Sequence, residues 1–122
     1  MSIKINNIYI VNDNDLGINS KFSKAHRVVV VKINKRSKKA IVKTITSLEM
    51  RNHKNKYKFN KSKLVAAKYG DILPIPVGVL NSTHYSGIDQ REIEVSFKDL
   101  QIQSKGKIFK FPRRYKNLIK KK

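Results

Sequence analysis

Residues 26 to 49 read HRVVVVKINKRSKKAIVKTITSLE, two runs rich in β-branched residues that are separated by a basic turn. An unbroken apolar run such as VVVV is typical of a strand buried on both faces. The segment NKRSK is its turn, so the second run is expected to fold back as an antiparallel partner. A turn near residues 34 to 38 pairs positions whose numbers sum to about 72, which places Arg27 opposite position 45 and at the same end of the hairpin as Thr46.

The exact register of this hairpin decides what its open end can do. Side chains alternate between the two faces of a strand, so a slip of one residue moves Thr46 to the other face. If Arg27 and Thr46 converge on one phosphate group, the stretch is a reaction centre. If the register separates them, it is scaffold.

The rest of the chain also predicts a mainly β fold. Strand patterns occur near residues 3 to 11 and 93 to 97, and a short aromatic strand is expected before Pro112, which is predicted to be the first residue of a helical turn. The segment 50 to 63 is expected to be an exposed basic loop or a short hairpin, and 81 to 87 a turn or loop. Residues 64 to 80 are expected to start as a short helix or strand and to end as extended chain. We expect a compact barrel of five to seven short antiparallel strands with one or two short helical segments.

The length predicts one domain over residues 1 to 122, ending in a basic segment over 105 to 122 that is expected to be partly flexible. There is no cysteine, no apolar run of about 18 residues and no signal-peptide pattern near the start, which predicts a cytoplasmic protein with no membrane contact.

Charge is the strongest feature of the composition, with 28 Lys and Arg against 8 Asp and Glu and a formal net charge of +20. Such a surface favours a polyanion, and nucleic acid is the commonest one. The basic residues are spread along the chain instead of following one amphipathic helix, which argues against a membrane surface. Solubility alone is the alternative explanation of the same bias.

The residues offer little for metal or nucleotide chemistry. Asp13 and Asp15 lie in an Asn-rich loop where turn formation explains them, the histidines lack metal-binding spacing, and no phosphate-binding glycine loop occurs. We therefore expect no metal and no cofactor.

Metal-free RNA cleavage requires fewer protein groups, because the nucleophile is the substrate's own 2′-hydroxyl. Arg27 and Thr46 are the candidates to hold the phosphate, and His26 or His84 is the candidate for proton transfer. An arginine that only positions a phosphate, an ordinary strand threonine and a turn histidine are the structural alternatives. The candidate nucleic-acid contacts are Lys24, Lys32, Lys35, Arg36, Lys43, Arg51, Lys54, Lys56, Tyr85, Arg113 and Arg114.

Three stretches resemble the MazF/PemK family of toxin endoribonucleases: IYIVNDNDLGINSKFSKAHRVVVV, KAIVKTITS and SGIDQREIEVSFKDL. The resemblance implies an SH3-like barrel that forms a homodimer and cleaves or binds RNA. It further implies that cleavage needs no metal, that Arg27 and Thr46 handle the phosphate, and that the protein pairs with an acidic antitoxin. The chain departs from the family at Val28, where a proline is usual, and in the basic ending KIFKFPRRYKNLIKKK.

Two other functions fit the same sequence. One is a non-catalytic nucleic-acid-binding barrel, for DNA or RNA, in a phage, mobile-element or ribosome-associated setting. The other is an interaction protein for an acidic protein partner.

Overall fold

A computed structural model describes residues 3–17, 25–51, 57–59, 61–76, 85–101 and 110–119. The strands are β1 (Ile8–Asn12), β2 (Ala25–Asn34), β3 (Lys39–Ser47), β4 (Glu49–Arg51), β5 (Tyr57–Phe59), β6 (Ile72–Ile75), β7 (Ser86–Asp89) and β8 (Ile93–Ser96). The α-helix is α1 (Lys61–Lys68), and 3-10 turns cover Asp13–Leu16, Phe97–Asp99 and Arg113–Leu118. The predicted mainly β fold is confirmed.

Six of these strands form one antiparallel sheet with the order β1-β2-β3-β7-β6, and β8 pairs with the other half of β3. Beyond β8 the chain reaches the free edge of β1, where Ile10 and Gln101 exchange two backbone hydrogen bonds of 2.8 Å. The sheet is therefore small and barrel-like. Strands β4 and β5 form a separate short hairpin, which is one of the two structures expected for that basic segment.

The β2–β3 hairpin has the predicted register at its open end, where Arg27 pairs with Ile45. Asn34 stabilises the turn, since its side-chain oxygen accepts hydrogen bonds from the backbone N–H groups of Arg36 and Ser37 at 3.1 and 3.2 Å. A bulge between Val30 and Lys32 shifts the register by one residue near the turn. The shift does not extend to the open end.

The sheet buries apolar side chains on both faces. An inner cluster lies between β1, β2, β3 and β8 and includes Tyr9, Val11, Val28, Val30, Val42, Val95 and Leu100. An outer cluster lies on the opposite face, where the C-terminal segment 110–119 covers it, and includes Ile8, Val29, Ile45, Ile88, Phe111 and Ile119. The valine run thus alternates between two cores, as an unbroken apolar strand predicts.

Two local predictions differ from the structure. The turn expected over 81 to 87 does not include Ser86 and Gly87, because β7 begins at Ser86, and residues 81 to 84 lie outside the described residues. Pro112 precedes the C-terminal 3-10 turn, which begins at Arg113. No helix among the described residues has the length and apolar character needed to cross a membrane.

Candidate active site on the inner face of the sheet

The register separates the two residues that the sequence proposed as partners. Arg27 lies directly opposite Ile45, whose side chain belongs to the outer cluster. Thr46 is the next residue along β3, so its side chain points to the inner face. Convergence of Arg27 and Thr46 on one phosphate is therefore not found in this arrangement, although the two residues lie at the same end of the hairpin.

His26 takes the place beside Thr46 that Arg27 was expected to fill. It pairs across β1 with Val11, a member of the inner cluster. Since β2 and β3 are antiparallel, positions 26 and 46 form the next pair after Arg27–Ile45 toward the open end of the hairpin. His26 and Thr46 therefore share the inner face of the sheet.

Asp13 holds the His26 ring. Its Oδ1 atom lies 2.6 Å from Nδ1 of His26, and the carboxylate side chain is 4% exposed while the imidazole is 29% exposed. The 3-10 turn that follows β1 places Asp13 there. A carboxylate on Nδ1 orients the ring and favours the tautomer whose lone pair is on Nε2. This geometry suits proton transfer.

Lys63 makes the corresponding contact to Thr46. Its Nζ atom, reaching from α1, donates hydrogen bonds to Thr46 Oγ1 at 2.6 Å and to the Ser47 carbonyl oxygen at 2.9 Å. Burial lowers the pKa of Lys63 from its ordinary value, and the nearby Asp89 carboxylate opposes part of that change. Asp89 is on the same face as Thr46. Gly87 of β7 pairs with Thr46, and Asp89 is two residues further along β7, so both positions face the same side of the sheet.

We call His26, Asp13, Thr46, Lys63 and Asp89 the inner-face polar cluster. It can bind an anion at a partly buried amine and move a proton at an oriented imidazole. Only His26 and Thr46 among its members were site candidates from sequence. Asp13 looked like a turn residue, which it also is, and Lys63 carried no spacing signal that distinguishes it from the other lysines.

On the outer face, Arg27 lies between Ile10 and Ile45 of the neighbouring strands. Burial lowers the pKa of its guanidinium from the ordinary value. In the described part of the chain it has no hydrogen-bond or ion-pair partner. A partly desolvated guanidinium is suited to a phosphate, but this one is across the sheet from Thr46.

Lys43 corrects a further prediction. The sequence placed it among the surface contacts to nucleic acid, whereas it is 4% exposed. Its Nζ donates a hydrogen bond of 2.8 Å to Oε1 of Gln90. The Gln90 amide nitrogen in turn donates to the carbonyl oxygens of Ile88 and Leu118. Lys43 thus belongs to the interior, because a buried ammonium needs hydrogen-bond acceptors that the sheet supplies here.

The other predicted contacts divide into three groups. Those exposed on the surface are Lys32, Lys35, Arg36, Arg113 and Arg114, and Tyr85 is 48% exposed at the start of β7. Arg114 lies over the ring of Tyr115 at 5.4 Å. Arg51 belongs to β4, and Lys24, Lys54, Lys56 and His84 lie outside the described residues.

No group of three or more His, Asp or Glu side chains that could hold a metal ion occurs among the residues that the structure describes. Comparison with models of known protein families and with curated proteins finds no match. The resemblance to the MazF/PemK family therefore stays a prediction that rests on the three quoted stretches.

Proposed function

We propose that this protein binds RNA and cleaves it without a metal ion, in the manner of a toxin endoribonuclease. The observation that carries the proposal is the 2.6 Å contact between His26 and buried Asp13, on the same face as the Thr46–Lys63 pair. An oriented imidazole and a partly buried amine on one face are suited to cleavage by an internal 2′-hydroxyl. The net charge of +20 supplies the attraction for the RNA chain.

The reaction transfers two protons and breaks one bond. Nε2 of His26 accepts the proton of the 2′-hydroxyl, and the 2′-oxygen attacks the adjacent phosphorus. The bond from phosphorus to the 5′-oxygen breaks, and the Lys63 ammonium donates a proton to that leaving oxygen. The products are a 2′,3′-cyclic phosphate and a 5′-hydroxyl. Asp13 stabilises the imidazolium that forms.

Lys63 has two properties that suit this role. Its positive charge is close to the position where the phosphate becomes more negative, and burial lowers its pKa, which makes the ammonium a better proton donor than an ordinary lysine. Thr46 is 8% exposed, so its contribution is to hold Lys63 in place through the 2.6 Å hydrogen bond. Thr46 is therefore a positioning residue.

Other residues serve RNA binding in this proposal. Tyr85 is half exposed and directly precedes β7, the strand that carries Gly87 opposite Thr46, so its ring can stack on a base next to the cleaved bond. Arg27 contacts a second phosphate along the chain, since it is on the other face of the sheet. The exposed lysines and arginines add contacts that carry no sequence preference.

The partners follow from charge and from the family resemblance. An acidic antitoxin would be attracted by the +20 surface and would neutralise it. A homodimer rests on the resemblance alone, and its test is the mass of the protein in solution measured by light scattering.

A non-catalytic nucleic-acid-binding barrel is the second candidate. It is favoured by the exposed cations at two separate places, the β2–β3 turn with Lys35 and Arg36 and the C-terminal segment with Arg113 and Arg114. This function predicts salt-sensitive binding that is spread over many cations and no cleavage.

One assay separates the two functions. Purified protein is incubated with mixed RNA in EDTA, and the ends of any fragments are analysed for the cyclic phosphate. Cleavage that is lost in His26→Ala but retained in Arg36→Ala supports the endoribonuclease. Intact RNA with a folded protein refutes it, and a salt-dependent gel shift in the same samples then supports the binding module.

A further inference from the structure

A cavity of about 350 Å³ lies between Asn6 and the C-terminal segment, away from the inner-face polar cluster. The backbone N–H of Phe111 donates a hydrogen bond of 2.8 Å to the carbonyl oxygen of Asn6, and a bridge joins Asn7 to Lys110. These contacts fix the segment against the chain that leads into β1. The volume falls at the lower end of the range of small-molecule pockets, about 300 to 1,000 Å³.

The described residues that line the cavity include three cations and no acid. Lys110, Arg113 and Lys116 all face it. Among the described residues none of the three forms an ion pair or a hydrogen bond through its side chain, whereas His26 and Lys39 have acidic partners. Three positive charges around one cavity favour an anion with several acceptor oxygens, and a phosphate group is such an anion.

Asn6 borders the cavity from the chain that leads into β1. Its side-chain oxygen is buried and has no hydrogen-bond partner in the described part of the protein. Buried polar atoms in folded proteins are nearly always paired, and leaving one unpaired costs about 1 to 3 kcal/mol. Asn6 also has a positive φ of 69°, a backbone conformation that Asn tolerates and most residues do not. This oxygen is closed to solvent, so a ligand in the cavity does not reach it without a local rearrangement.

Pro112 supplies an apolar wall between the cations. A nucleotide combines the two properties that match this lining: a phosphate for the cations and a planar base for the apolar wall. We propose that this cavity is a binding site for one nucleotide. The proposal goes beyond RNA cleavage, since occupancy of the cavity does not depend on His26 or on any reaction.

The test is a titration of the full chain, followed by amide chemical shifts in ¹H–¹⁵N NMR spectra, with AMP, adenosine and inorganic phosphate as separate probes. AMP is expected to shift the amides of Asn6 and of the C-terminal segment 110–119. It is also expected to bind more tightly than adenosine or inorganic phosphate. Inorganic phosphate that binds as tightly as AMP overturns the assignment to a nucleotide, and so does AMP that leaves these amides unchanged.

Matched variants distinguish binding of AMP in the cavity from attraction of AMP by the general positive charge of the protein. Arg113→Ala is expected to weaken AMP binding about tenfold, because a charge-assisted contact is lost. Arg36→Ala removes the same charge from the exposed β2–β3 turn and should leave AMP binding nearly unchanged. Equal effects of Arg113→Ala and Arg36→Ala contradict the proposal.

A further probe identifies the source of the nucleotide. A 5′-phosphorylated tetraribonucleotide that shifts the same amides more strongly than AMP identifies the end of an RNA chain, and stronger binding of AMP identifies a free nucleotide. Both results support a nucleotide site. Failure of RNA cleavage with retained AMP binding removes the proposed enzyme activity alone, so the two proposals fail separately.

Discussion

Two lysine side chains lie on opposite faces of the sheet at strand β3, and they differ in whether a ligand can reach the amine. On the outer face, Lys43 is buried and bound by Gln90, whose amide is held by two backbone carbonyl groups. On the inner face, Lys63 is partly exposed and reaches Thr46 from a surface helix. Both amines are hydrogen-bonded, but only Lys63 can also meet a ligand. Position on the sheet thus decides whether a lysine is structural or available for chemistry.

The largest expected effect separates His26 from Arg27, which are adjacent in sequence and on opposite faces. His26→Ala should lower kcat for RNA cleavage by roughly 10² to 10⁴-fold, because the proton acceptor is lost. Arg27→Ala should raise KM and leave kcat nearly unchanged. Single-turnover cleavage of a labelled RNA in EDTA measures both. Equal losses of kcat in His26→Ala and Arg27→Ala would contradict the assignment of different roles to the two faces.

Asp13→Asn tests whether the carboxylate orients the His26 ring. We expect kcat to fall about 100-fold while the fold is retained, since the amide can no longer favour one tautomer of the imidazole. Long-range ¹H–¹⁵N spectra distinguish the two ring nitrogens and should show a changed tautomer. Asp15→Asn, an exposed residue of the same 3-10 turn, is the control. An unchanged tautomer in Asp13→Asn would contradict the role.

Gln90→Leu tests the structural side of the comparison. It removes a hydrogen bond of 2.8 Å from the buried ammonium of Lys43 and should lower the free energy of unfolding by about 2 kcal/mol. Urea denaturation measures the change, and Gln101→Leu, at an exposed position, is the matched control. The double variant Lys43→Met with Gln90→Leu should recover part of the loss, because no buried charge remains. A neutral Gln90→Leu would mean that the Lys43 contact contributes little.

Thr46→Val tests the positioning of Lys63. The variant loses the acceptor at 2.6 Å and should lower kcat about tenfold, and Thr46→Ser should restore it because the hydroxyl returns. RNA binding by gel shift should be nearly equal in all three proteins. If Thr46→Ser is as slow as Thr46→Val, the hydroxyl group is not what positions Lys63.

The smallest effect is a pH dependence of stability due to Lys63. Since burial lowers its pKa, the unfolded chain binds more protons than the folded one between that lowered pKa and the ordinary value of about 10.5. The stability of the wild type relative to Lys63→Met should therefore rise as the pH increases through this window. Urea denaturation from pH 8 to 10.5 measures it, with Lys61→Met on the exposed side of α1 as the control. A flat difference would contradict the desolvation of Lys63.

The sequence by itself determined the mainly β fold and the β2–β3 hairpin, because β-branched runs and an Asn-containing turn are local signals. It did not predict that β7 starts at Ser86, since SGID follows turn-forming residues and is too short for a clear alternation.

The composition of the candidate site depends on tertiary contacts that no local pattern predicts. The hairpin count placed Arg27 opposite position 45, and the structure agrees, yet side-chain alternation then puts Thr46 on the other face with His26. Asp13 and Lys63 reach that face from a 3-10 turn and a helix far away in sequence, and no spacing rule connects them to Thr46. Contacts between distant segments depend on how the sheet folds, which is why composition and motif could indicate a chemistry without choosing its residues.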